Sequence, residues 1–173
     1  MLSYTSPGET SGACPECGVP AARNGESAEG PDGSERRLDA LMRLTRDLLD
    51  SDAAILSEIG RGRETPLRMA GEWPEIEEGR SLPLDETFCK RMLDGRIENY
   101  IRDAQADERV SDLPMTRQLG IGAYLGVPIK IDDVRLYVLC CLDRESRPSL
   151  GEREVRLLSG LAESVRVELS GLN

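Results

Sequence analysis

The chain has 173 residues, contains no histidine and carries a net charge of −10 with a pI near 4.7. Because an acidic surface repels phosphate groups, we expect neither nucleic acid nor a membrane as a partner. Without an imidazole, Ser-His-Asp and Cys-His nucleophiles, His-ligated zinc catalysis and proximal-His haem are excluded. The sequence shows neither an apolar run of about 20 residues nor a signal peptide, so a cytoplasmic location is expected.

Residues 1–33 are rich in Gly, Pro, Ser and Glu and have no periodic apolar face, which predicts a flexible N-terminal tail. The remaining residues, 34–173, are expected to form one domain. The tail contains a CxxC motif, Cys14 and Cys17, that resembles half of a zinc knuckle. Since structural zinc needs four ligands, the alternatives are a loose dithiol without metal and a zinc site shared between two chains. No other cofactor is expected.

The domain opens with apolar residues at helical spacing, which predicts a helix over residues 35–50. The runs AAILSEI and PLRMAGEW, with GRGRET between them, predict a β-hairpin. Trp73, at the end of this hairpin, is interpreted as a lid on the core.

The middle of the chain predicts smaller elements. LDETFCKRMLD, residues 84–94, forms an amphipathic helix with Asp85 as its cap. An extended run at residues 97–102, an acidic loop at residues 103–112 and a short helix from Pro114 follow. AYLGVPIKI and VRLYVLCCL then predict a second hairpin. The chain closes with a helix over residues 151–170, for which Ser149 and Glu152 fit a capping box.

Four segments in this order, SLPLDETFCKRMLDG, NYIRDAQADERVSDLP, LGIGAYLGVPIKIDD and LCCLDRESRP, resemble the GAF domain family. The resemblance implies an α+β fold: an antiparallel sheet of five or six strands with two long helices on one face and short helices on the other. It also implies a non-catalytic sensory or regulatory role in bacterial signal transduction. The two long helices are then expected to form a homodimer contact, and the partners to be a small molecule or a downstream signalling protein.

In such a fold the short helices cover a pocket. The candidate ligand-binding residues are Phe88, Cys89, Met92, Tyr100, Arg102, Asp103, Leu113, Arg117, Tyr124 and Val127. Arg102, Asp103 and Arg117 are the polar anchors expected in a mostly apolar pocket. An equally open interpretation is that the apolar residues of this set fill the core and the charged ones are exposed on loops.

Cys89 supports a second hypothesis, in which the protein is a thiol-based redox sensor or an enzyme resembling methionine sulfoxide reductase. A thiol near a helix start and basic neighbours can have a lowered pKa. Against this, Cys89 lies on an apolar helix face, and buried packing is the commoner role of cysteine.

Family members commonly have glycine near the position of Tyr137. If Tyr137 and Tyr124 both point into the pocket, the pocket is small, which favours a domain that transmits signals without a ligand. If the rings point towards the long helices instead, room for a ligand remains. Strand alternation does not decide between the two faces.

Overall fold

The computed structural model describes residues 31–172. Its helices are α1 (Pro31–Leu49), α2 (Phe88–Leu93), α3 (Pro114–Leu119) and α4 (Glu152–Gly171), with a 3-10 turn at Leu84–Glu86. Its strands are β1 (Ala53–Gly60), β2 (Arg63–Gly71), β3 (Leu82–Pro83), β4 (Tyr100–Ile101), β5 (Ala123–Lys130) and β6 (Leu136–Asp143). The sheet has the order β3-β2-β1-β6-β5-β4 with every neighbouring pair antiparallel. The predicted α+β architecture is confirmed.

The sheet separates two apolar layers. On one side, the helix face, α1 and α4 pack against the sheet and against each other. They run antiparallel, since Arg37 near the start of α1 is paired with Glu168 near the end of α4 at 2.8 Å. On the other side, the loop face, α2, α3 and the connecting loops cover the sheet. Trp73 is 1% exposed in this second layer, which confirms the core position predicted for it.

Because β1 and β6 are central strands covered on both faces, nearly all of their residues are buried. Tyr137, Leu139 and Cys141 point to the helix face. Val138, Cys140 and Leu142 point to the loop face. The structure thus settles the orientation of β6 that alternation alone left open.

β2 contains a β-bulge. Leu56 is paired with Arg68 and Ser57 with Pro66, so Leu67 is an extra residue on β2. Such a residue reverses the alternation of side chains along the strand. Leu67 and Ala70 pack on the helix face, whereas Glu64 and Pro66 point to the loop face. Pro66 suits this place, because proline has no N–H to donate and is tolerated at bulges.

Several element boundaries differ from those predicted. Helix α2 begins at Phe88 and is capped by Thr87, whose hydroxyl accepts the Lys90 N–H at 3.2 Å, so the predicted cap Asp85 is wrong. Helix α4 is capped at Gly151 through Glu154, whose carboxylate accepts the Gly151 N–H at 3.0 Å. The Ser149–Glu152 box is therefore also wrong.

Other differences concern the ends of the domain. The extended run 97–102 forms only the two-residue β4, and α1 starts at Pro31, inside the segment predicted to be a tail. Cys14, Cys17 and the rest of residues 1–30 lie outside the described residues. In the described part of the chain, no helix combines the length and the apolar character needed to span a membrane.

Candidate functional site

The loop face encloses a small cavity between the sheet and α2. Its volume is about 10 Å³, which is roughly the space that one water molecule needs. It is lined by Ile55, Ser57, Glu64, Pro66, Ile76, Leu82, Phe88, Cys89, Met115, Tyr124, Cys140 and Leu142. The pocket is therefore small, as expected, but Tyr137 is not the reason, because its ring lies on the helix face.

Two stacked rings fill the space next to this cavity. Phe88 and Tyr124 are both 1% exposed, and their ring centroids are 5.1 Å apart with planes inclined by 19°. The Tyr124 ring lies across the backbone of Gly126, where a Cβ atom would be only 2.1 Å from the Tyr124 hydroxyl oxygen. Glycine at position 126 is thus what allows the ring to lie flat on the sheet.

Glu64 is a carboxyl group buried in this apolar layer, with only 4% of its surface exposed. The Cys89 thiol donates a hydrogen bond to its Oε1 at 3.3 Å. Burial raises the pKa of Glu64 above its ordinary value of 4.5, and the nearby side chains of Thr87, Cys89 and Ser57 offset that rise only in part. The site therefore favours a protonated or otherwise neutralised carboxyl group.

Cys89 is buried in this cluster, with 3% of its surface exposed. The Tyr124 hydroxyl donates to its Sγ at 3.6 Å. A hydrogen bond with Cys140, burial and the charge of Glu64 together raise the pKa of the Cys89 thiol well above its ordinary value. The basic residues next to Cys89 do not stabilise its thiolate, because Lys90 is paired with Asp94 and Arg91 with Asp112. The lowered pKa that a redox role would need is therefore not found.

The structure brings together half of the candidate ligand residues. Phe88, Cys89, Met92, Leu113 and Tyr124 share the loop-face layer. Tyr100 and Val127 belong to the helix face, so placing them in the same pocket was wrong. On β5, Val127 alternates with Gly126 and therefore points away from Tyr124.

The three predicted polar anchors do not converge. Arg102 donates to the Leu150 carbonyl at 2.6 Å and lies over the Tyr100 ring. Asp103 accepts the Ala106 N–H at 3.2 Å, and Arg117 donates to the Ser111 carbonyl at 2.9 Å. Arg102 therefore binds the segment before α4, and Asp103 and Arg117 bind backbone close to them in sequence, so the grouping of the three around one pocket was wrong.

The sequence interpretation missed Glu64 and Ser57, the polar groups that do line the cavity. Simple alternation from Ala70 would place Glu64 on the helix face, and only the bulge at Leu67 moves it to the loop face. Pro66 was the available signal, since proline inside a strand indicates an edge or a bulge. Across residues 31–172, no group of three or more Cys, Asp or Glu side chains is arranged to hold a metal ion.

Comparison with known proteins places this geometry in a family. The model of the GAF domain matches residues 34–169. A cyclic di-GMP phosphodiesterase of Pseudomonas aeruginosa is 32% identical over 95 residues, which is 54% of this chain but only 16% of that protein. The chain therefore spans a small part of the length of this curated relative.

Solved structures agree in fold. The GAF domain/HD domain protein from Geobacter sulfurreducens has a TM-score of 0.63 at 18% identity, covering 85% of this chain and 98% of that one. The GAF domain from an Acinetobacter phosphoenolpyruvate-protein phosphotransferase gives 0.61 at 21% identity, with 80% and 81% covered. The phycoerythrobilin-bound GAF domain of a cyanobacterial phytochrome gives 0.62 at 14% identity, with 80% and 86% covered. The chain belongs to the GAF domain family.

Proposed function

We propose that this domain is a non-catalytic regulatory module of bacterial signal transduction that acts as a homodimer and transmits its state through α1 and α4. The observation that supports this best is an apolar surface on the two long helices that the sheet does not cover. Leu44 and Leu48 on α1 are 46% and 52% exposed, and Leu157 and Val167 on α4 are 40% and 58% exposed.

One row of exposed apolar and small residues on α4 follows a regular pattern. Leu157, Gly160, Ser164, Val167 and Gly171 are spaced by alternating steps of three and four residues, as in a helix–helix seam. Small residues at such positions let a second helix approach closely. Leu48 and Leu157 line the same surface cleft, so the apolar surfaces of α1 and α4 adjoin at that end. The geometry suits a bundle formed with the same two helices of a second copy.

The loop face supports the non-catalytic part of the proposal. Its cavity is too small for a substrate, and its thiol has a raised pKa. The described cysteines Cys89, Cys140 and Cys141 are free and buried, which also fits a reducing, cytoplasmic location. The Pseudomonas relative is a cyclic di-GMP phosphodiesterase of which this chain matches only 16%, which supports a role next to a signalling activity, so a downstream signalling protein is the proposed partner.

Light scattering tests the dimer. We expect twice the chain mass of 19.0 kDa for the wild type at tens of micromolar, and monomers for Leu44→Glu and Leu157→Glu. Val134→Glu is the matched control, because Val134 is an apolar residue, 88% exposed, in the β5–β6 turn away from both helices. Leu161 and Val165 are unsuitable test positions, since both are buried against the sheet.

Gly160 gives a second test that leaves the monomer fold intact. Gly160 is exposed and a Cβ atom there meets no other atom within 4 Å, so we expect the monomer to tolerate Gly160→Phe, whereas the ring blocks close helix approach in the dimer. A monomeric wild type, or a dimer that persists in Leu44→Glu, Leu157→Glu and Gly160→Phe, would contradict the proposed interface.

A further inference from the structure

Ser57 on β1 and Glu64 on β2 are buried polar side chains of adjacent strands that line the loop-face cavity. Ser57 is 0% exposed and Glu64 is 4% exposed. Glu64 is paired with Ile59, so Ser57, two residues before Ile59 on the same face, is its diagonal neighbour. Within the described part of the chain, Ser57 Oγ and Glu64 Oε2 lack a hydrogen bond of normal geometry. Unsatisfied buried polar atoms of this kind are uncommon and call for an explanation.

The protonated form of Glu64 has both a donor and an acceptor to satisfy. Its Oε1 accepts the Cys89 thiol at 3.3 Å, which places the acid proton on Oε2, where it needs an acceptor. The Thr87 hydroxyl is already engaged, because it donates to the Leu84 carbonyl at 2.9 Å and accepts a backbone N–H of α2 at 3.2 Å. A group that accepts from Glu64 and donates to Ser57 would complete these bonds.

The size of the cavity and the chemistry of its lining identify that group. A volume of about 10 Å³ admits one molecule of the size of water. Water both donates and accepts hydrogen bonds, whereas an ammonium ion only donates and cannot accept the proton of a neutral acid. Burial raises the pKa of Glu64 and so favours this neutral form. A cavity of this size with polar atoms in its wall suits a water, since purely apolar cavities stay dry.

From this geometry we propose that the loop-face cavity is a site for one buried water molecule, which accepts a hydrogen bond from the protonated Glu64 and donates one to Ser57. The water links β2 to β1 beneath α2 and completes the polar cluster around Cys89. Because it takes the space next to the stacked rings of Phe88 and Tyr124, the loop face becomes a closed core with no room there for a further ligand. The inference does not depend on the proposed dimer, because α1 and α4 lie on the opposite side of the sheet.

A crystal structure of the full chain tests the site directly, from crystals grown without ammonium salts at mildly acidic pH, where Glu64 keeps its proton. We expect one ordered density peak at about 2.5–3.0 Å from both Glu64 Oε2 and Ser57 Oγ. An empty cavity would overturn the assignment. So would an anomalous signal at this position after a rubidium soak, because it would identify a site for a monovalent cation.

Oxygen-17 relaxation dispersion tests the site in solution by counting long-lived internal waters. We expect Ser57→Val to hold one such water fewer per chain than the wild type, because its methyl groups take the place of the water and remove the acceptor. Ser159→Val is the matched control, since Ser159 is an exposed serine on α4. If Ser57→Val proves unfolded by circular dichroism, Glu64→Met replaces it, with the same loss of one water expected.

An unchanged count of long-lived waters in the folded Ser57 or Glu64 variant would contradict the site. Repeating the measurement with Leu157→Glu separates this inference from the proposed function. The internal water is expected to remain in the monomeric variant, so a failure of the dimer leaves the water site standing, and an empty cavity leaves the dimer standing.

Discussion

Replacing Gly126 with Ala tests whether the Tyr124 ring is held flat on β5. The new Cβ would lie 2.1 Å from the Tyr124 hydroxyl oxygen and 2.6 Å from the ring carbon Cζ. Gly126 itself cannot retreat easily, since its N–H donates to the Asn99 carbonyl at 2.7 Å and its carbonyl accepts the Asn99 amide at 2.8 Å. The tyrosine ring must therefore move.

The required movement sets the size of the effect. Ordinary van der Waals contact begins at 3.4 Å, so the hydroxyl must move by at least about 1.3 Å, against the close packing of Phe88 and the hydrogen bond to Cys89. Overpacking of this kind costs about 1–3 kcal/mol in the free energy of unfolding. In a Tyr124→Leu background the obstructing atoms are gone, so the same Gly126→Ala change should cost less than about 0.5 kcal/mol.

Urea denaturation of the four proteins in this double-mutant cycle measures the coupling. Gly60→Ala is the control, because Gly60 is also a strand glycine but a Cβ there meets nothing within 4 Å. The reasoning is refuted if Gly126→Ala leaves stability unchanged, or if its cost is the same with and without the Tyr124 ring.

Three further measurements follow from the same geometry. Because burial raises the pKa of Glu64 above 4.5, the wild type should lose stability as the pH rises from about 4.5 through the folded-state pKa, by about 1.4 kcal/mol for each pH unit between the two values. Urea titrations at several pH values should show a larger loss in the wild type than in Glu64→Gln, in which, among the described residues, only the other buried carboxyl with a raised pKa, Asp143, remains; equal losses in the two proteins would contradict the reasoning. Cys89, with its raised pKa, should react with a disulfide reagent at least about a hundredfold more slowly in the native than in the unfolded protein, as site-resolved mass spectrometry can measure; equal rates would contradict its burial. Arg61→Asn should raise the free energy of unfolding by about 0.5–1 kcal/mol, since Arg61 has a φ of 53° beside Gly62 in a two-residue hairpin turn that favours Asn; a loss of stability would show that the arginine is needed there.

Elements with a strongly periodic apolar pattern could be predicted from the sequence. Features that depend on tertiary contacts could not. The two long helices and both hairpins follow from apolar spacing and turn residues, which are local properties. The face of the sheet to which Tyr137 points could not be predicted. Since β6 is apolar on both sides, alternation does not show which residues point to which face. The resemblance to GAF domains predicted the fold. It did not predict the polar groups of the cavity, because loop charges such as Arg102, expected as anchors, make backbone contacts instead.

The polar centre of the site was hidden for a different reason. The side of the sheet to which Glu64 points depends on the extra residue Leu67 in the β-bulge, and a hydrophobic pattern does not reliably indicate a bulge. Its significance also comes from groups distant in sequence, Cys89 from α2 and Ser57 from β1, which only folding brings together. The acid on its own looked like one more surface charge in an acidic chain.

The shortness of the outermost strands has a consequence for aggregation. β3 and β4 contain two residues each, so each outermost strand offers little backbone that another strand could extend. Beyond β3, the border of β2 is engaged by the following loop, because the Gly79 N–H donates to the Pro66 carbonyl at 2.7 Å and the Glu78 carboxylate accepts the Met69 N–H at 2.7 Å. Beyond β4, the border of β5 includes Pro128, which has no N–H to donate. Concentrated protein should therefore resist fibril growth as long as these borders stay folded, and fibril formation should require prior detachment of β3 or β4.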